Sequence, residues 1–271
     1  MNKKISIGEV ISFLNKKFRP ELQEDYDNAG FLLGEHGTAY RGALVALDLT
    51  PEVIEEAIEH GLNLIVTHHP FIFSGLKRIT DSSETGRMVI QLVRNGISVY
   101  AAHTNLDNLP WGVNGILAEK LGMKNCRILC RQDASAPFET GAGMVGELPK
   151  AMETDKFLLK VKEVLMPTGC RRSLCISKHN PKRKVKRIAI CGGAGSFLIG
   201  NAIDSGADLY LTADMKYHDF QRAEGRITLV DAGHYETEQF AKEIISRAIS
   251  EKFSNFACRI SENQGSLIQY I

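Results

Sequence analysis

The chain has 271 residues, enough for one large or two moderate domains with a substantial core. Its 44% apolar and 24% charged residues are ordinary for a globular protein, and a net charge of +1 gives no electrostatic reason to expect a nucleic-acid or membrane surface. The start, Met1-Asn2-Lys3-Lys4-Ile5, lacks the apolar stretch of a signal peptide and no run reaches a spanning length, so a cytoplasmic protein with reduced cysteines is expected.

In chain order, Ile7, Val10, Ile11 and Leu14 have helical spacing between Ser6 and Phe18. A turn at Asp27-Asn28-Ala29-Gly30 leads into a short strand that ends at Gly34. Ala43 to Leu47 reads as a strand, and Thr50-Pro51 opens a helix, with Thr50 as the N-cap and Pro51 at the first helical position. That helix closes at Gly61, before a strand from Leu62 to Val66. A further helix, Gly86 to Arg94, precedes the strand Ile97 to Ala102.

Arg131 to Pro149, rich in Gly, Ala and Pro, reads as a crossing into a second lobe. The basic run Lys182 to Arg187 reads as a solvated loop before a strand. Glu55 to Pro70 aligns without gaps on Gly200 to Met215, sharing Ala57/Ala202, Gly61/Gly206, Leu64/Leu209 and Thr67/Thr212 among its identities. The match fits either an internal duplication or two independent strand–helix–strand units of common pattern. A final strand is expected over Ser266 to Ile271. The whole pattern predicts an α/β protein of two similar lobes, each with a mixed, largely parallel sheet flanked by helices.

Three islands carry metal-ligand side chains: Thr67-His68-His69-Pro70, His103-Thr104-Asn105-Leu106-Asp107, and Gly233-His234-Tyr235-Glu236-Thr237-Glu238. Each follows an apolar run read as a strand, where active-site loops of α/β sheets commonly lie. His68 and His69 can serve one centre only if the chain has begun to turn, which Pro70 favours. Asp107 is a candidate ligand, and a carboxylate there can bridge two ions ~3.5–4 Å apart. His103 reads equally as a ligand or as an orienter of one. His234 and Glu238, four apart at a helix start, share one face, while Glu236 points away. Mixed imidazole and carboxylate donors suit zinc, iron or manganese. If all three islands serve one site, the metal-binding lobe is discontinuous, 1–125 plus 232–271, with 126–231 as the second lobe.

Two further stretches bear on substrate. The turn at Gly192, Gly193 and Gly195 could offer backbone N–H groups to an anion, or could simply be a tight strand-to-helix turn. Lys216 could meet a phosphate, and His103 or His218 could shuttle protons.

Taken together, Leu47-Asp48-Leu49-Thr50, the three ligand islands, Cys191-Gly192-Gly193-Ala194-Gly195, Asp214-Met215-Lys216-Tyr217-His218 and the early Asp27-Asn28-Ala29-Gly30 resemble the Nif-three-like family, often labelled "GTP cyclohydrolase 1 type 2 homologue". The resemblance spans nearly the whole chain. It implies a two-lobed α/β subunit, two divalent ions per subunit, and a toroidal homohexamer. Residue by residue, the implied ligands are His68, His69, Asp107, His234 and Glu238. Some members carry a large domain between their halves, for which the central stretch here is too short. The expected activity is metal-dependent hydrolysis of a nucleotide-like or small phosphorylated substrate. The alternative is a non-catalytic metal (iron) chaperone or assembly scaffold.

Overall fold

The computed structural model describes residues 4–132, 139–166, 172–263 and 265–268. Its first elements are α1 (Ile7–Phe18), β1 (Gly30–Leu33), β2 (Gly42–Ala46), α2 (Pro51–Glu59), β3 (Leu64–Thr67), α3 (Glu84–Arg94), β4 (Ser98–Ala101) and α4 (Thr104–Asp107). Next come α5 (Val113–Lys120), β5 (Lys124–Arg131), β6 (Gly141–Glu153), α6 (Thr154–Leu165), β7 (Cys175–Ile176) and β8 (Lys184–Ala194). The chain continues through α7 (Ile199–Asp204), β9 (Leu209–Ala213), β10 (Thr228–Asp231), α8 (His234–Glu238), α9 (Ala241–Lys252) and β11 (Ala257–Ile260). These elements form two compact units, Met1–Leu106 with Ala241–Gly265 and Asp107–Phe240 with Ser266–Ile271.

In the first unit the sheet order is β1-β4-β3-β2-β11, with β1 alone antiparallel to its neighbour. Strands β2, β3 and β4 are fully buried, so they read as unbroken apolar runs rather than alternating ones. Leu44, Ile65 and Val99 of the sheet pack on Val53, Ile54 and Ala57 of α2 and on Leu92 of α3. The cap signals act as expected. Ser6 and Glu9 make a reciprocal capping box at α1, and the Thr50 hydroxyl accepts from the Val53 N–H at α2.

The second unit has sheet order β5-β6-β8-β9-β10-β7, parallel over β8, β9 and β10 and antiparallel at its other pairings. One face packs Ile188, Ile190, Leu211 and Val230 against Phe157 and Val161 of α6 and Leu117 of α5. The other packs Ala189, Tyr210 and Leu229 against Ile199 and Ala202 of α7. The two aligned segments fall on matching elements: α2 and β3 in one unit, α7 and β9 in the other.

Four expectations need correction. The stretch expected to be a crossing, of which 133–138 lie outside the described residues, holds the start of β6, a 13-residue strand paired on both sides by β5 and β8. Its glycines are packing devices: a Cβ at Gly146 would press on Cys126 and on the Lys124 carbonyl of β5. The basic run is mostly strand, since Lys184 to Arg187 begin β8, with Val185 buried and the charged side chains outward. No strand forms over residues 266–268, while 269–271 lie outside the described residues. The unit bounds fall at 106/107 and 240/241 rather than 125/126 and 231/232, because Leu117, Leu121 and Met123 belong to the second unit's core.

Candidate functional site

The first unit contributes three imidazoles. His68 and His69 follow β3, and the turn that lets both point one way is held by the Thr67 hydroxyl, which donates to the His69 carbonyl at 2.7 Å. His68 is fully buried, and its Nδ1 donates to the Ala102 carbonyl at 2.7 Å. His69 Nδ1 lies 2.7 Å from Asp48 Oδ1 at the end of β2. Nδ1 of each ring is thus engaged by an oxygen, which leaves Nε2 as the nitrogen that could bind a metal ion. His103 completes the cluster, its ring centroid 5.4 Å from that of His68 and 5.5 Å from that of His69.

His103 is itself anchored. Its Nδ1 is 2.7 Å from Asp27 Oδ1, and the other oxygen of Asp27 accepts from both the hydroxyl and the N–H of Thr104. Burial opposes ionisation of Asp27, but hydrogen bonds from His103, Thr104 and the Asn28 N–H outweigh it and hold its pKa at about 2. These bonds describe His103 as an imidazole set in place by a buried carboxylate.

Asp107, His234 and Glu238 belong to the second unit, so the expectation of all ligands in one lobe is also corrected. His234 and Glu238 open and close α8, and their Nε2 and Oε2 atoms are 2.9 Å apart, as the four-residue spacing requires. Glu238 is almost fully buried. His234 Nδ1 is 2.7 Å from Asp214 Oδ2, repeating the carboxylate–imidazole pairing of Asp48 and His69. Asp214 holds a left-handed backbone, φ 54°, which aspartate tolerates better than most residues. Glu236 faces elsewhere, beside Arg172, which is bound to Asp231 at 2.8 Å.

The Asp107 backbone carbonyl accepts from Asn114 Nδ2 at 3.2 Å, and Asn114 Oδ1 in turn accepts from the Gly192 N–H at 2.9 Å. The Gly193 N–H donates to Thr237 Oγ1 at 3.0 Å. Of the three glycines expected to offer N–H groups to an anion, Gly192 and Gly193 therefore have theirs engaged within the protein. These glycines matter for a different reason: a Cβ at Gly193 would overlap the Glu238 carboxylate, and one at Gly195 would overlap the Thr212 hydroxyl. Cys191, between them and the core, is a buried thiol pushed up by burial and then by the charges of Asp107 and Glu238. Lys216 and His218 are exposed, the His218 ring meeting Tyr217 edge-on at 5.3 Å.

Sequence reasoning gave no role to Asp48, Asp27, Asn114 or Asp214. Asp48 and Asp214 lie just past the ends of β2 and β9, a signal that could have singled them out, whereas Asp27 precedes β1 and Asn114 sits in α5.

A family model described as Duf34/NIF3 (NGG1p interacting factor 3) matches residues 5–265. A Clostridium acetobutylicum protein named "GTP cyclohydrolase 1 type 2 homolog" is 34% identical over 231 residues, covering 84% of this chain and 83% of the relative. A Clostridium perfringens protein of the same name is 32% identical over 254 residues, covering 93% and 94%. Among solved structures, a Bacillus cereus protein related to NIF3 superposes with a TM-score of 0.90 at 24% identity, covering both chains completely, and attests the fold.

Proposed function

The chain belongs to the Duf34/NIF3 family, and on that premise we propose that it binds two divalent metal ions and hydrolyses a nucleotide-like or small phosphorylated substrate. His68, His69 and Glu238 make a set that could hold one ion. In this reading Asp107 and His234 would complete the ligands for a second ion. The observation that carries the reading is the fixing of the imidazoles: Nδ1 of His68, His69 and His234 each meets an oxygen at 2.7 Å, leaving Nε2 as the donor. Structural histidines have no need of three such orienting partners, whereas metal ligands regularly have them.

Two ions in such a set would supply Lewis acidity and lower the pKa of water. The protein's own part follows from the geometry. Asp48 and Asp214 hold the His69 and His234 rings, and Gly193 leaves room for the Glu238 carboxylate. His103, anchored by Asp27, would be the group that moves a proton to or from substrate. The relatives' names direct the substrate search to purine nucleotides. We further propose a cytoplasmic toroidal homohexamer, on the strength of the family resemblance. Among the described residues no helix is long and apolar enough to cross a membrane.

The partial exposure of the His69 and His234 side chains, 22% and 34%, favours a second reading as a metal-handling protein without turnover. Rapid transfer of the metal to a chelator, with no hydrolysis of any nucleotide, would select it.

The test is elemental analysis of protein purified without chelators or added metal, with mass by light scattering. Near two divalent ions per chain in a hexamer is expected. His69→Ala and Glu238→Ala should each lose most of the metal while remaining folded. Full metal content in both variants would remove the basis for the assignment.

A further inference from the structure

The histidine cluster of the first unit has an aromatic rim that no step above uses. Tyr26 and Phe73 are 66% and 51% exposed, an unfavourable place for two large rings in a chain with buried room for Tyr100 and Phe18. Their ring centroids are 6.3 Å apart and their planes 35° from parallel. Phe73 also meets His103 edge-on at 6.3 Å. The two loops that carry the pair are tied together, because Asn28 Nδ2 donates to the Ile72 carbonyl at 2.6 Å. The same Asn28 gives its N–H to Asp27, whose carboxylate holds His103. One chain of hydrogen bonds therefore sets both the rings and the imidazole.

We infer that Tyr26 and Phe73 form a clamp for a planar nitrogen heterocycle, placing its edge beside His103. A ring held between two others needs parallel planes about 7 Å apart, two layers of van der Waals contact, so the pair has to turn through its 35° tilt as well as part. The polar edge of such a heterocycle would then face imidazoles, and its apolar faces would cover the exposed rings. The inference deepens the hydrolase reading by assigning the residues that hold the substrate's ring, and rests on that reading only for the fate of the bound molecule.

The test measures binding, not turnover, so it stands or falls apart from metal content and hydrolysis. Full-length protein, as purified, is titrated calorimetrically with GMP and separately with ribose 5-phosphate, which has the sugar phosphate and no base. GMP should bind at least about tenfold more tightly. Phe73→Ala and Tyr26→Ala should each weaken GMP by about 5- to 150-fold, the range for loss of one base–aromatic stack, and leave ribose 5-phosphate unchanged. Phe73→Tyr should restore most of the affinity. Equal affinity for the two probes, no binding of either, or an undiminished GMP affinity in both alanine variants would overturn the inference. A Phe73→Ala variant whose mass by light scattering falls while its GMP affinity holds would assign the pair to a contact between copies instead.

Discussion

At the scale of single residues, the candidate site is a set of imidazoles whose direction is fixed by carboxylates and, for His68, by the Ala102 carbonyl. The histidines themselves were legible because adjacent His68-His69 and the i, i+4 pair His234/Glu238 are local patterns. Their partners were not, since Asp48 is 21 positions from His69, Asp214 is 20 from His234, and Asp27 is 76 from His103. Only the folded sheet brings them to the same strand ends. The glycines mislead for a related reason: sequence shows that a side chain is missing, and only structure shows that Glu238 fills the vacated space at Gly193. Asp27 carries a pH prediction. Its carboxyl titrates near 3.8 in the unfolded chain and about 2 in the folded one, so ionisation stabilises the fold above the higher value and ceases to do so as pH falls through the lower. The shift corresponds to about 2 kcal/mol. Asp27→Asn should therefore lower the urea midpoint most at neutral pH, and its gap from the unaltered protein should narrow between pH 4 and pH 2. A gap constant down to pH 2 would show that the carboxylate's charge contributes nothing.

At the scale of elements, the strands between helices in the first unit were readable because their burial on both faces leaves continuous apolar runs. Strand β6 was not readable. Gly141, Gly143 and Gly146 and Pro149 lower strand propensity, yet pairing to β5 and β8 on both edges decides the conformation. Strand β11, pattern exposed–intermediate–exposed–exposed, has too little apolar face to announce itself. It is placed instead by its parallel pairing to β2 and by Glu56 of α2. That buried carboxylate accepts from the Ser261 hydroxyl at 2.5 Å and from the N–H groups of Glu262 and Asn263 at 3.1 and 3.3 Å. Burial works against its charge, and these donors together hold its pKa below the usual carboxylate value. Glu56→Ala should cost about 1–3 kcal/mol by denaturant unfolding and speed hydrogen exchange at residues 261–263 in particular. Unchanged exchange there would show that the sheet pairing alone holds the segment.

At the scale of the whole molecule, the two α/β layers were legible from the strand–helix alternation and from the match of Glu55–Pro70 to Gly200–Met215, which the structure places on corresponding elements. The division of the chain was not legible. Sequence suggested a metal-binding lobe holding every ligand, whereas His68 and His69 belong to one unit and Asp107, His234 and Glu238 to the other. The signals that set the bounds are core contacts of Leu117, Leu121 and Met123, apolar residues whose partners, such as Phe157 and Val161, lie farther along the chain.

The pairing of β11 with β2 has a consequence for biosynthesis. Every strand of the second unit's sheet has been made once Asp231 is joined, but the first unit's sheet waits for Ile260. At ordinary elongation rates that interval is roughly 1–6 s. The half of the protein translated later is therefore the first that can close, while β2, all five of its residues apolar or small, keeps an unpaired edge open to wrong partners. A chain truncated after Phe240 should resist limited proteolysis from β8 to β10, Lys184 to Asp231, and be cut between β1 and β4, Gly30 to Ala101; protection of both stretches would show that the last strand is dispensable. Nascent chains of this protein would then need shielding at their beginning rather than at their middle.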